Sequence, residues 1–301
     1  MSPKKILIIS GTHGNEINPI WAVDQFNKTL VEGFKSNSLS FIQGNPKAIR
    51  KGSRYIDFDL NRSFNKKLIA SKNQTYEVSR AQALVREYGP HGLYPCHIAV
   101  DLHTTTSAMG TSIVVYGRRK FDLCLASILQ NKFGCPIYLH EKDQNQTGFL
   151  VEAWPCGIVI EVGPVAQNYY DPEIVDRFLI ILKFLHNIHF NSENICSLSS
   201  SEITLFVHQR SLDYPKDKES NITALIHPKR IGQDWKLVKK GDPLFLNLNN
   251  ETINYQETDD VYPVFIGESA YKEKNIAMSF TKKEKFKIPE IWFTSFFDYF
   301  R

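Results

Sequence analysis

No two cysteines in this chain are spaced C-x-x-C. The five present, Cys96, Cys124, Cys135, Cys156 and Cys196, are odd in number and scattered. That pattern excludes a thiolate zinc site and speaks against a disulfide framework. The thiols read as reduced, and the expected compartment is cytoplasmic. No apolar stretch approaches the roughly 20 residues that span a bilayer, so no membrane association is expected. Two lysines, Lys4 and Lys5, precede an apolar run, but the run is short and ends in Ser10-Gly11-Thr12-His13-Gly14. No signal peptide is expected from it. A large excess of one charge is also missing: the net charge is +4 over 301 residues. No basic stripe alternates with stacking aromatics, which removes nucleic acid as an expected partner. The mild basic bias fits a small anionic substrate. What is present is an ordinary globular composition, 42% hydrophobic and 23% charged. The length suits one large domain or two unequal ones.

Apolar runs and helical periodicities alternate through the first two thirds of the chain. Ile6-Leu7-Ile8-Ile9 is short, β-branched and followed by Gly11, as a buried strand is. Ile20, Val23, Phe26, Leu30 and Phe34 recur at helical spacing over Ile17 to Phe34. Leu39 to Ile42 predicts a strand. Lys47 to Phe64 reads as a long polar and aromatic connection. Further strands are expected at 97–103, 112–116, 136–139 and 157–164. Helices are expected at 77–88, 121–133 and 171–188, the last with Asp171-Pro172-Glu173 as N-cap, N1 and acidic first turn. Solidly apolar strands alternating with helices imply an α/β layer around a mainly parallel sheet. The texture changes at the Ser-rich stretch near Asn191-Ser192-Glu193 and Ser197 to Ser201. The expected division is therefore 1–195 as an α/β domain and 196–301 as a smaller β-rich one, with strands near 203–207, 225–226, 244–248 and 262–266. Lys282-Lys283-Glu284-Lys285 reads as a solvated face. The aromatic tail, Trp292 to Phe300, is expected to pack on the body, with a homo-oligomer interface as the alternative.

Chemistry gathers at predicted strand ends. His13 and Glu16 lie three residues apart just past the first strand, where one turn can aim both at a point. Imidazole nitrogen and carboxylate oxygen are both zinc ligands, and one more His would complete a His2Glu set with a position open for water. By itself H-x-x-E is a weak signal. His103 ends another strand, two residues after Asp101, which can orient an imidazole. A capping or core histidine is the alternative. Glu161 ends the run Ile158-Val159-Ile160, where an unpaired charge is costly. It reads as the neighbour of a metal-bound water or a proton carrier, or else as half of a salt bridge. The loop from Arg54 to Phe64 carries Arg54, Asn61 and Arg62, whose donors suit carboxylates, with Asp57 and Asp59 able to hold the arginines.

Five segments together resemble the aspartoacylase branch of the zinc amidohydrolases, which also contains succinylglutamate desuccinylase, within the wider zinc carboxypeptidase-like group. They are Gly11 to Glu16, Arg54 to Phe64, Asp101 to Ser107, Ile160 to Pro164 and Tyr262 to Tyr271. They occur in family order across nearly the whole chain, and the set is far more specific than any one motif. The resemblance implies a zinc carboxypeptidase-like fold with a β-rich C-terminal domain closing over the site. It implies one zinc per chain, held by His13, Glu16 and His103. Glu161 becomes the general base, and Arg54 polarises the scissile carbonyl. Asn61 and Arg62 bind a substrate carboxylate, on which Tyr271 closes. The implied substrate is an N-acyl amino acid, N-acetyl-L-aspartate first. The rivals are the same reaction on an aromatic or succinylated substrate, and a non-catalytic zinc-binding protein. One departure stands out. Aspartoacylases carry an Arg in the loop before the Glu-bearing strand that helps read the aspartate side chain. Here Glu141 to Pro155 contains Lys142 but no Arg, so modest selectivity for aspartate is expected.

Overall fold

Strands that are apolar on both sides need cover on both faces, and that requirement organises the molecule. A computed structural model describes residues 5–33, 39–72, 75–141, 146–188 and 193–300. In chain order the strands are β1 (Ile6–Ser10), β2 (Leu39–Gln43), β3 (Ile98–Thr104), β4 (Thr111–Tyr116), β5 (Ile137–His140), β6 (Cys156–Val162), β7 (Glu202–Asp213), β8 (Ala224–Ile226), β9 (Pro243–Asn247), β10 (Thr252–Asn254), β11 (Tyr262–Val264) and β12 (Ile276–Lys287). The helices are α1 (Ile17–Gly33), α2 (Pro46–Lys51), α3 (Lys66–Ile69), α4 (Tyr76–Tyr88), α5 (Lys120–Phe133), α6 (Pro172–His186), α7 (Glu193–Leu198) and α8 (Glu290–Phe300). Phe34, Asn191 and Ser192 lie outside the described residues.

One nine-stranded sheet, ordered β11-β12-β7-β5-β4-β6-β3-β1-β2, carries the fold. β2, β1, β3 and β6 form a parallel block, and β4, β5 and β7 a second one. The blocks meet antiparallel at β4 and β6, so the sheet is mixed but mainly parallel. Alternate side chains separate two cores. Ile8, Val100 and Ile158 face α1, α5, α6 and α8, while Leu7, Ile9, Ala99 and Val159 face α4 and the 60–64 segment. A small antiparallel sheet, β10-β9-β8, packs its own core against β12 through Phe245, Met278 and Phe280.

Three details depart from the sequence reading. The connection from Lys47 to Phe64 is not all loop: α2 begins it, with Asn45 as N-cap and Pro46 in its first turn, and a 3-10 turn spans Leu60–Arg62. The 282–285 charges lie within β12, a twelve-residue strand. Its lysines 282, 283 and 285 are exposed as expected, but Glu284 accepts from Arg118 Nη1 at 2.7 Å. The expected strand at 203–207 continues to Asp213 and pairs with β5, so it extends the main sheet. The aromatic tail is α8, with Phe293, Phe296, Phe297 and Phe300 buried against the body and Phe121 of α5 within 6.0 Å of the Phe296 ring. Cys96, Cys124, Cys135 and Cys156 are buried free thiols, and Cys196 is an exposed one. Burial pushes the Cys124 and Cys135 thiols up to about 12. No helix among the described residues is long and apolar enough to cross a membrane.

Candidate metal and substrate site

Past the end of β1 the chain turns at Gly11, whose φ is +66°, a conformation that favours glycine. Gly14 then presses on α2 so closely that a Cβ would sit 2.1 Å from the Ala48 carbonyl carbon. Any side chain would push α2 away. The contact sets the 12–16 turn beside the loop after α2, and Gly14 N–H donates to the Arg54 carbonyl at 3.2 Å.

His13, Glu16 and His103 converge here, all buried, with one donor atom from each lying within 4.8 Å of the others. His13 Nδ1 is 2.7 Å from Glu16 Oε1, and His103 Nδ1 is 3.1 Å from Glu16 Oε2. Each imidazole turns its other nitrogen to a second carboxylate. His103 Nε2 meets Asp101 Oδ2 at 2.8 Å, and His13 Nε2 meets Asp59 Oδ1 at 3.0 Å. Asp101 is itself fixed by the Thr12 hydroxyl at 2.8 Å. Such carboxylate partners fix the tautomer and leave both Nδ1 atoms for a shared cation. Burial would raise the Glu16 carboxyl, but His13 and His103 hold it far below its ordinary value. Burial would lower His103, yet Asp101 and Glu16 push it well above. A proton and a metal ion compete for that nitrogen. Two imidazoles and one ionised carboxylate, in a dry site with positions to spare, fit a three-ligand metal centre.

Parallel pairing of β3 and β6 puts Glu161 directly opposite His103. Its Oε2 is buried with no hydrogen-bond partner among the described residues. Burial pushes the Glu161 carboxyl up to about 8; Glu16 and Glu268 add to the shift, while His103 and Arg54 oppose it. Arg54 reaches Glu16 Oε1 at 3.5 Å and Asp59 Oδ2 at 3.3 Å. Asp59 therefore holds an arginine, whereas Asp57 accepts from Tyr76 N at the start of α4. Asn61 is buried, and its Oδ1 accepts from Leu150 N at 2.8 Å. Arg62 lies over the Phe149 ring at 4.2 Å and donates to Gln146 Oε1 at 3.2 Å. Tyr271 lines the same pocket as His13, Glu16, Arg54, Asn61, Arg62, His103 and Glu161. The pocket's remaining walls include Val114, Tyr116, Tyr138, His140, Phe149 and Phe265. Lys142 lies outside the described residues.

Two supporting residues, Glu77 and Glu268, escaped the sequence reading, and Asp59, expected to hold an arginine, is tied to His13 as well as to Arg54. Glu77 on α4 is fully buried and accepts from the backbone N–H groups of Ile56, Asp57 and Phe58 and from Asn45 Nδ2. It thereby holds the loop that carries Arg54. Glu268 accepts from the Thr105, Thr106 and Ser107 hydroxyls and from Thr106 N, just past His103. Its other oxygen accepts from Ala270 N at 3.0 Å, which ties the Tyr271 segment to the end of β3.

Comparison with known proteins agrees with this constellation. Residues 2–187 match the succinylglutamate desuccinylase/aspartoacylase catalytic domain, and residues 201–283 the barrel-sandwich hybrid domain of the same group. A probable aspartoacylase of Prochlorococcus marinus subsp. pastoris is 56% identical over 297 residues, covering 99% of this chain and 100% of that one. A second, from Prochlorococcus marinus strain MIT 9515, is 58% identical over 291 residues, with 96% and 97% covered. Among solved structures, murine aminoacylase 3 superposes with a TM-score of 0.83 at 26% identity, covering 96% of this chain and 98% of the other. The shared sheet, the converging His13, Glu16 and His103, and these full-length matches have one reading: this chain belongs to the succinylglutamate desuccinylase/aspartoacylase family of amidohydrolases.

Proposed function

We propose that this protein hydrolyses the amide of N-acetyl-L-aspartate to acetate and L-aspartate, with one zinc per chain held by His13, Glu16 and His103. The observation that carries the proposal is Glu161, opposite His103 with a buried oxygen that lacks a partner among the described residues. A closed structural metal site has no use for such a group. Zinc held there supplies Lewis acidity and lowers the pKa of a water it binds towards ~7. Glu161, whose ionised form a cation held by His13, Glu16 and His103 would favour, takes a proton at Oε2 from the attacking water and passes it to the leaving nitrogen. Arg54 donates to the amide oxygen as negative charge develops on it, in a pocket where water no longer screens the contact. The Asn61 amide and the Arg62 fork hold the α-carboxylate, and the Tyr271 hydroxyl closes on it from the 196–301 part of the chain. The names of the Prochlorococcus relatives support aspartate as the amino acid. The free thiols support a cytoplasmic setting.

The aromatic walls Tyr116, Phe149 and Phe265 favour one second reading, the same reaction on an N-acyl aromatic amino acid. Acetate release from N-acetyl-aspartate and N-acetyl-phenylalanine separates the two. The wild type should bind about one zinc and prefer the aspartate substrate. Glu161→Gln should keep the zinc and lose about 10²-fold or more in kcat. Near-normal turnover in that variant would place the base elsewhere.

A further inference from the structure

N-acetyl-aspartate brings two carboxylates, and the loop before β6 offers no Arg for the second. Arg54 is committed to Asp59 and the amide oxygen, and Arg62 to the α-carboxylate. Beyond the metal ligands, His140 is the further lining side chain among the described residues that can carry positive charge. Val114 and Tyr116 on β4, and Tyr138 and His140 on β5, alternate along their strands and share the face that lines the pocket. The register places Tyr116 beside His140.

We propose that His140, set by Tyr138 and His208, is the residue that reads an anionic side chain on the substrate; this rests on the amidohydrolase reading above. The Tyr138 hydroxyl lies 2.9 Å from His208 Nδ1 and 3.3 Å from His140 Nδ1. One hydroxyl hydrogen cannot serve two ring nitrogens, so one of the imidazoles must donate its Nδ1–H to the hydroxyl oxygen. When the tyrosine donates to His208, that donor is His140. The ring is then oriented and can take a second proton as a carboxylate arrives. Its surroundings favour a strong contact. His140 is 7% exposed and sits with its centroid 5.5 Å from Phe149, 6.0 Å from Tyr116 and 4.9 Å from His208. In so dry a wall an imidazolium and a carboxylate attract far more strongly than in water. A neutral amide of the same shape forfeits that term, so the site would separate aspartate from asparagine and not merely large side chains from small ones.

The test compares N-acetyl-aspartate with N-acetyl-asparagine as substrates of the zinc-loaded enzyme. The wild type should favour the aspartate compound. In His140→Gln the ratio of kcat/KM values should fall about 10- to 100-fold, through KM more than kcat. Equal losses on both substrates, or an unchanged ratio, would make His140 a packing residue and overturn the proposal. If His140→Gln fails to fold, as judged by zinc content and thermal melting, Tyr138→Phe carries the test. It removes the orienting hydroxyl and should narrow the same ratio more mildly; an unchanged ratio there overturns the proposal as well. A wild type that cleaves both substrates equally sinks the role of His140 and leaves the zinc amidohydrolase standing. A wild type that cleaves neither removes both.

Discussion

Buried carboxylates in this chain meet opposite fates, set by whether their neighbours outweigh burial. Glu16 lies between two imidazoles and stays ionised, whereas burial, reinforced by Glu16 and Glu268 and only partly offset by His103 and Arg54, pushes Glu161 up to about 8. Asp122 on α5 is a third case, away from the site. It accepts from Arg119 Nε at 2.6 Å and from Gly157 N at 2.9 Å. Burial nevertheless outweighs Arg119 and pushes its carboxyl from 3.8 up to about 6. The folded state therefore holds this proton more tightly than the unfolded chain. Its contribution to stability is lost as pH rises from about 4 to 6, by up to about 3 kcal/mol. Asp122→Asn keeps an acceptor for Gly157 but cannot ionise. Relative to this variant, the wild type should lose stability across that window in denaturant melts run at stepped pH. The opposite trend would mean that Arg119 sets the balance. At this scale the candidate site was legible in the sequence because His13, His103 and Glu161 lie at or just past the ends of apolar runs. The contacts of Asp59 with His13 and of Glu268 with Thr105 were not, since they join residues 46 and 163 positions apart and leave no local signature.

Among the elements, α4 has a role its amphipathic pattern does not announce. Its Val78, Ala81 and Leu84 pack as the periodicity predicts, while Glu77, at the start of the same helix, threads under the 56–58 backbone. A carboxylate can accept from three N–H groups and the Asn45 amide together, but a carboxamide cannot, because half of it is a donor. Glu77→Gln should therefore loosen the loop bearing Arg54 and lower kcat/KM about tenfold, with zinc content retained and stability down by about 1–3 kcal/mol. Steady-state kinetics, metal analysis and urea melts check this; unchanged kinetics would mean that the loop is held by other contacts. Long, periodic elements were readable, and short or interrupted ones were not. α2 has its start signal in Asn45-Pro46, yet six residues give too little periodicity to count. β12 hides its alternation because its first six residues are all buried and its last six are rich in lysine.

On the scale of the molecule, the two family segments share one sheet. β5 pairs parallel with β7, and α8, from the end of the chain, covers α5. Composition showed a change of texture near 191–201 but could not show a ladder running across it. Residues 1–195 alone would leave β5 as an open edge and strip Phe296 and its neighbours from the core. The full chain should unfold in one cooperative transition, and the 1–195 fragment should be insoluble or lack fixed packing. A soluble, zinc-binding fragment with its own melting transition would show that the halves fold separately. The buried thiols make such experiments easy to follow. Thiolates are the reactive form, and burial keeps Cys96, Cys124, Cys135 and Cys156 from forming them. A disulfide dye should therefore titrate Cys196 in the native protein and all five cysteines once the core opens. The molecule carries its own colorimetric count of how much of it has come apart.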